Sequence, residues 1–579
     1  MNKEHSFSPT GRPSVERPWL KYYDAAHVAA PLPEQTIFEL FEENNRNYPD
    51  DIAIHYLGVT IRYGELAEQI DRCARSLQAL GVGRNDVVTI AMPSMPEAVY
   101  MVYAVNRLGA VANMIHPLAS ADETCHYLNE VGSKVFVMFT GTYAIMRGHL
   151  EKTTVTTSVV VSPVQSLGRT VRWIYGLKNR KERVAESNSV MTWETFVRKG
   201  EGLTLPPPQR ADRDWAVISH TGGTTGTPKG VVCTNRNIIA QIVQMIEKRN
   251  IKRQNCMFMQ LPPFINYSLV SMVETFSYGF RALLVPRYDP TTLVKHIRKY
   301  GVTYIHSIPA YWEPLCHSKV RFGDLKTLEG IATGGEAMDT ATEAQVNMML
   351  KAGGSPVELM KGYGMTESTS GIAGTYPECN DSGCVGIPFM LTNCRVEDVN
   401  TGEELSYNEE GELCFAGPTI MPGYYNNPEA TDDIIKTDAD GTRWLHTGDV
   451  GYITEDGVVF ITGRIKRLIM QKDNNGMVSK IFPERIESII SQMSAIEECC
   501  VVGKPHPDRI SLPVAYVVLT PGTRQEGGAI AQAVVGWCRD RLPAYMVPVE
   551  VHVLDVMPRT DRGKIDYRSL EVRSAATER

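Results

Sequence analysis

The chain has 579 residues and a mass of 64.4 kDa, several times the usual ~100–200 residues of one domain, so more than one hydrophobic core is expected. Apolar residues make up 43% and charged residues 22%, which excludes a disordered or collagenous chain. The net charge of −7 gives no global attraction to nucleic acid, so small-molecule partners are expected.

Twelve cysteines are scattered along the chain, and no C-x-x-C occurs. That pattern excludes a zinc knuckle or a thioredoxin pair and reads as small buried thiols in a reducing compartment. The polar, Pro-rich opening lacks the apolar stretch of a secretory signal, and no apolar run approaches the ~18 residues of a membrane span. A cytoplasmic location is expected.

Residues 1–34 read as an irregular arm broken by Pro9, Pro13, Pro18, Pro31 and Pro33. From Thr36 helix and strand alternate. The strand-like DIAIHYL precedes a long helix, YGELAEQIDRCARSLQALG, which stops at Gly81, and the apolar runs VVTIAM, KVFVMF and TSVVVS follow. This pattern predicts an α/β chain with largely parallel sheets. After about Thr375, short strands such as GELCFAG and GVVFITG, separated by turn residues, predict an antiparallel, barrel-like segment. Beyond Gly463 the order helix, strand, strand, helix, strand predicts a small α+β domain with its own core.

One stretch stands apart. Residues 167–183 (LGRTVRWIYGLKNRKER) place Trp173, Ile174, Tyr175 and Leu177 among Arg169, Arg172, Lys178, Arg180, Lys181 and Arg183. Basic residues around an aromatic centre suit weak peripheral contact with an anionic lipid surface; the alternative is an ordinary solvated insertion.

The strongest chemical signal is His220-Thr221-Gly222-Gly223-Thr224-Thr225-Gly226-Thr227-Pro228-Lys229-Gly230, directly after the apolar strand WAVIS. Glycines let several backbone N–H groups converge on one anion, and the threonine hydroxyls and Lys229 add donors, so the loop is built for phosphate. It differs from the P-loop pattern, because Gly230 rather than Ser or Thr follows the lysine.

The loop resembles the T-S-G-T-T-G-x-P-K-G signature of the adenylate-forming enzymes, the superfamily of acyl-CoA synthetases and peptide-synthetase adenylation domains. Five further segments are similar to that family's motifs and occur in its order: Ala332-Thr333-Gly334-Gly335-Glu336, Tyr363-Gly364-Met365-Thr366-Glu367, Thr447-Gly448-Asp449, Gly463-Arg464, and Pro558-Arg559-Thr560 with Gly563-Lys564-Ile565. The resemblance spans about residues 35–570. It implies a large N-terminal domain (35–465) of two α/β subdomains plus the barrel-like segment, and a small mobile C-terminal domain (466–579) hinged near Lys466. It implies activation of a carboxylic acid by ATP, with Mg²⁺, to acyl-AMP, and transfer to CoA or to a carrier protein. Lys564, Thr366, Glu367 and Lys229 would serve the chemistry, with Glu367 as metal ligand. Thr221, Gly222, Gly223, Thr224, Thr225, Gly226, Gly334, Gly335, Glu336, Tyr363, Asp449 and Arg464 would bind nucleotide.

The acid pocket is expected at Pro262-Pro263-Phe264-Ile265-Asn266-Tyr267-Ser268. Phe264, Ile265 and Tyr267 form an apolar wall that favours an alkyl tail, hence a fatty acid. Asn266-Tyr267 resembles the pair of aryl-acid-activating members, where the asparagine binds a ring hydroxyl, and so supplies the alternative. The absence of an aspartate from this stretch weighs against an amino acid. Met470 to Lys480 is longer than the family's usual turn before its proline, here Pro483, where the rotated domain would line the thiol tunnel.

Overall fold

The structure, a computed structural model, describes residues 10–178, 184–207, 212–221, 228–249, 251–317, 319–472, 478–523, 527–559 and 565–576. Two large sheets enclose a layer of helices. The first has seven strands in the order Val190–Thr192, Thr157–Val161, Val135–Phe139, Val87–Ala91, Val111–Met114, Trp215–His220 and Gly230–Thr234. All its pairings are parallel except the last, a hairpin. Such strands are buried on both faces, which is why Val135 to Met138 reads as an unbroken apolar run and Val87 to Ala91 is interrupted only by the buried Thr89.

The second sheet has 14 strands. Its parallel centre runs Leu359–Gly364, Gly330–Gly334, Tyr304–Ser307, Cys256–Met259, Arg281–Leu284 and Ile52–Tyr56. The antiparallel segment expected after Thr375 joins this centre directly. Gly371–Gly374 and Cys384–Pro388 continue the ladder into Val459–Arg464, Arg443–Ile453, Gly411–Ala416 and Asn393–Glu397.

Helices Ile37–Asn45, Pro96–Arg107, Asn235–Ile246 and Asn266–Ser277 fill the space between the sheets. Nearly every residue of Pro96–Arg107 and Asn266–Ser277 is buried. A helix buried all round has no solvent face, so these two lack the 3.6-residue stripe of a surface helix and bury polar side chains such as Glu97 and Glu274. Helix Tyr63–Ala79 has that stripe and ends as its sequence predicts, with Gly81 at φ +82° and its N–H on the Gln78 carbonyl.

The N-terminal arm differs from its expected irregularity. Pro13 and Pro18 open helical turns over Pro13–Glu16 and Pro18–Tyr22 instead of breaking them, because a first-turn proline forfeits no intrahelical hydrogen bond. Trp19 is fully buried, and a Cβ on Gly457 (φ +86°) would lie 2.7 Å from its backbone nitrogen. The Tyr23 hydroxyl donates to the Pro388 carbonyl at 3.0 Å, and Ser14 Oγ donates to Glu404 at 2.8 Å. The arm is a clamp on the antiparallel segment.

The C-terminal domain has its own sheet, in which Ile510–Leu519 pairs with Ile496–His506 and Glu550–Leu554, and its own core around Ile469, Ile486, Val501, Val517 and Val534. The long stretch before Pro483 forms a hairpin of Ile469–Lys472 against Val478–Ile481; Asp473 to Met477 lie outside the described residues.

Within 167–183 a helix spans Arg169–Lys178, with 179–183 outside the described residues. Val171, Trp173, Ile174 and Leu177 face solvent, Trp173 with 66% exposure, while Arg172 turns back onto Glu194 at 3.0 Å. Among the described residues no helix is long and apolar enough to cross a membrane.

Candidate functional site

The Gly/Thr-rich loop is the tip of the hairpin between Trp215–His220 and Gly230–Thr234, in which His220 pairs with Gly230. Its base is pinned twice: Thr221 N–H donates to the Lys229 carbonyl at 3.0 Å, and Lys229 N–H donates to Thr221 Oγ1 at 3.1 Å. Gly222, Gly223, Thr224, Thr225 and Gly226 lie outside the described residues. The Lys229 ammonium sits 4.8 Å over the Tyr424 ring, and the Tyr424 hydroxyl donates to Glu367 Oε1 at 2.6 Å. Burial and then the Glu367 charge push the Tyr424 phenol well above its ordinary range, so it stays a donor. Tyr424 thus links the loop cation to the carboxylate expected to hold metal. The sequence reading missed it, although Gly423-Tyr424-Tyr425 adds to the hairpin by backbone bonds from Val232 and Tyr425. His126 and Glu130 also line this end; burial raises the Glu130 carboxyl, which lies 3.7 Å from His220 Nδ1.

Thr366 and Glu367 occupy a 3₁₀ turn after strand Leu359–Gly364. Gly364 is required there, since a Cβ would lie 1.8 Å from the Ser370 carbonyl oxygen. The Tyr363 hydroxyl donates to Asp449 Oδ2 at 2.6 Å, and Arg464 Nε meets Asp449 Oδ1 at 2.8 Å. Asp449 is buried, and desolvation raises its carboxyl against the pull of Arg464. Tyr363, Arg464, Thr447, Lys466, Gly334 and Gly335 line the cavity. Glu336 is exposed and lies outside the lining.

Of the expected acid pocket, Ile265, Asn266 and Tyr267 line the cavity, whereas Phe264 packs on His116 with ring centroids 4.6 Å apart. Asn266 begins helix Asn266–Ser277 and ties three elements together. Its Oδ1 accepts from Ser219 Oγ at 2.5 Å, and its Nδ2 donates to the Thr366 carbonyl at 3.3 Å and to Cys233 Sγ at 3.5 Å. Those bonds occupy the amide that the aryl-acid alternative assigns to a ring hydroxyl.

Leu328, Ile331, Met360 and Phe389 supply apolar wall, yet Arg249, Tyr304 and His306 line the same space. The wall is more polar than the sequence suggested, because Arg249 comes from a helix end and His306 from a strand far from the expected segment. Arg249 Nη1 donates to the fully buried Glu274 at 2.6 Å; burial raises the Glu274 carboxyl, with Arg249 opposing. The Tyr267 ring stacks on His306 at 5.6 Å.

At the seam between domains, Arg464 is held by Asp449 of the large domain. Arg467 is held by Glu484 at 3.0 Å, Glu487 at 2.5 Å and the Val501 carbonyl at 3.1 Å in the small one. Lys466 lies between these two clamps and faces the cavity, as does Arg568. Lys564 lies outside the described residues. The whole cavity, about 1560 Å³, runs from Thr221, Lys229 and Glu367 to the acid wall without a break.

The family model for the AMP-binding enzyme matches residues 41–425, and that for the AMP-binding enzyme C-terminal domain matches residues 485–564. A long-chain-fatty-acid–CoA ligase of Bacillus subtilis (strain 168) is 28% identical over 96% of this chain and 98% of its own length. A probable 4-coumarate–CoA ligase 1 of Dictyostelium discoideum is 26% identical over 95% of this chain and 97% of its own. The crystal structure of ATP-bound MatB from Rhodopseudomonas palustris superposes with a TM-score of 0.78 at 22% identity, covering 94% of this chain and all of that one, a likeness of fold.

Proposed function

This chain belongs to the AMP-binding enzyme family, and from that premise we propose that it joins a hydrophobic carboxylic acid of the fatty-acid class to CoA, using ATP and releasing AMP and pyrophosphate. The carrying observation is the continuous cavity, which joins a cationic, hydroxyl-rich end to an acid wall. In this reading the carboxylate attacks the α-phosphate of ATP, forming acyl-AMP and expelling pyrophosphate. Negative charge grows on phosphoryl oxygens, where fixed donors act most strongly. Lys229 and the hydroxyls of Thr221 and Thr366 supply donors from the cavity lining. Glu367, steadied by Tyr424, fits an Mg²⁺ ion, which would neutralise phosphate charge. Tyr363 and Asp449 would take adenine and ribose, and Lys564 would reach the α-phosphate from the small domain.

The domain then turns about Lys466 for thioester formation, with CoA as thiol. Lys564→Ala should therefore lower adenylation by on the order of 10²–10³-fold, while thioester formation from supplied acyl-AMP survives. Equal loss in both steps would sink the rotation. AMP release across C2–C18 and aromatic acids tests the substrate: each buried CH₂ contributes about 0.8 kcal/mol, roughly fourfold in affinity, so rates should climb into the medium-chain range. A strong preference for salicylate over octanoate would refute the fatty-acid class. Comparing CoA with a carrier protein as acceptor decides the thiol.

Helix Arg169–Lys178, with its apolar face outward and Arg172 held inward, suits shallow contact with anionic lipid. Binding to phosphatidylglycerol vesicles that Trp173→Ala does not weaken would remove that contact.

A further inference from the structure

Arg249 lies just beyond helix Asn235–Ile246 and, with Met245 one turn before it, faces the acid end of the cavity. A guanidinium carries five N–H donors. Among the described residues, the only side-chain hydrogen bond of Arg249 is the one to Glu274, so most of its donors remain unused on the cavity side. The Glu274 carboxylate neutralises the charge but leaves those donors free. Tyr267 also lines the cavity, and its hydroxyl has no hydrogen bond among the described residues.

His306 completes the set, and its proton can be placed. Ser271 Oγ lies 2.8 Å from both the Tyr267 carbonyl and His306 Nδ1; we assign its one hydrogen to the carbonyl, an arrangement in which it accepts from His306 Nδ1. Burial, reinforced by the Arg249 charge, keeps this imidazole neutral. A neutral ring protonated at Nδ1 presents a bare Nε2 acceptor. The cavity therefore offers donors on Arg249 and Tyr267 and acceptors on His306 and on the Tyr267 hydroxyl itself.

The nearby charges are balanced: Arg249 against Glu274, Lys248 against Glu378 at 3.1 Å, and Lys252 against Glu329 at 3.4 Å. A second carboxylate on the substrate would bring an uncompensated charge to a buried wall. A keto oxygen would satisfy a donor yet leave Nε2 unmatched. Of these three oxygen groups only a hydroxyl both accepts and donates, and so it matches the whole set. We propose that the acid carries a hydroxyl group on its tail, accepting from Arg249 or Tyr267 and donating to His306 Nε2. The inference rests on the acid-activating reading given above and names the substrate class more closely.

The test is a positional series of hydroxyoctanoates and oxooctanoates against octanoate, scored by acid-dependent AMP release and, without ATP, by calorimetric binding. At one or two positions the hydroxy acid should exceed octanoate at least tenfold in kcat/KM, and exceed the matching oxo acid. Tyr267→Phe should cut that hydroxy-to-octanoate ratio about tenfold. Arg249→Met with Glu274→Met, which removes the pair together so that no buried charge is stranded, should also cut it. The ratio compares two acids on one variant, so a general loss of folding leaves it unmoved. If no hydroxy acid outperforms octanoate, or if the ratio survives both substitutions, the proposal falls. Should no acid release AMP, the activity reading falls instead, and the binding series still decides the hydroxyl.

Discussion

Glu97 sits in the first turn of helix Pro96–Arg107 with 1% exposure, and Ser166 Oγ donates to it at 2.6 Å. Burial pushes its carboxyl up to about 7. Between the ordinary glutamate value and pH 7 the folded chain keeps a proton that the unfolded chain releases. Stability from this group is therefore full at acid pH and falls as pH rises through that window, by about 3 kcal/mol in all. Melting temperatures taken from pH 5 to pH 8 should fall in the native protein, and Glu97→Gln should flatten that decline; an identical decline in both would reassign it. The same scale shows what single residues reveal from sequence. Lys229 and Glu367 were legible because each sits inside a run whose spacing has a chemical purpose. Tyr424 and Arg249 were not, since a tyrosine pair beside glycine and a cation at a helix end are ordinary surface text until the fold turns them inward.

Among elements, the turn Ile465–Arg467 separates two clamps of opposite allegiance, Arg464 on Asp449 and Arg467 on Glu484 and Glu487. Proline at position 466 fixes its own φ and drives Ile465 out of the helical region. Lys466→Pro should accordingly disfavour the helical turn seen here and impair the two half-reactions unequally, by on the order of 10²-fold, because a pivot must take two shapes. Half-reactions measured separately decide it; equal impairment would mean that the turn is not the pivot. The sequence located this turn through Gly463-Arg464 but said nothing of Arg467, whose partners lie 17 and 20 residues further on. It also marked Met470–Lys480 as unusually long without showing its form. Alternation there is too short to separate a hairpin from a loop, and the pairing of Lys472 with Val478 supplies what periodicity lacked.

For the whole molecule, the change of texture near Thr375 was legible, but its attachment was not. Strand order depends on neighbours distant in sequence: Ile52–Tyr56 lies beside Arg281–Leu284, and Cys384–Pro388 beside Val459–Arg464. No local pattern encodes such pairings, and prolines in the arm misled for the same reason, since their effect depends on where a helix begins. The arm now predicts a global effect. Trp19→Ala empties a fully buried site and should cost about 3–5 kcal/mol, read as a lower melting temperature with loss of the clamp on the antiparallel segment. A melting temperature unchanged by the substitution would show that the clamp carries no stability.

That clamp also sets an order of assembly during synthesis. Trp19 leaves the ribosome more than four hundred residues ahead of Gly457, against which it packs. At about 5–20 residues per second the indole waits roughly 20–90 s with its partner surface unbuilt. Through that interval the nascent chain carries an uncovered Trp19 within an otherwise polar, Pro-rich segment, a target for chaperones that attend emerging polypeptides. A side chain made early is thus one of the last to find its place.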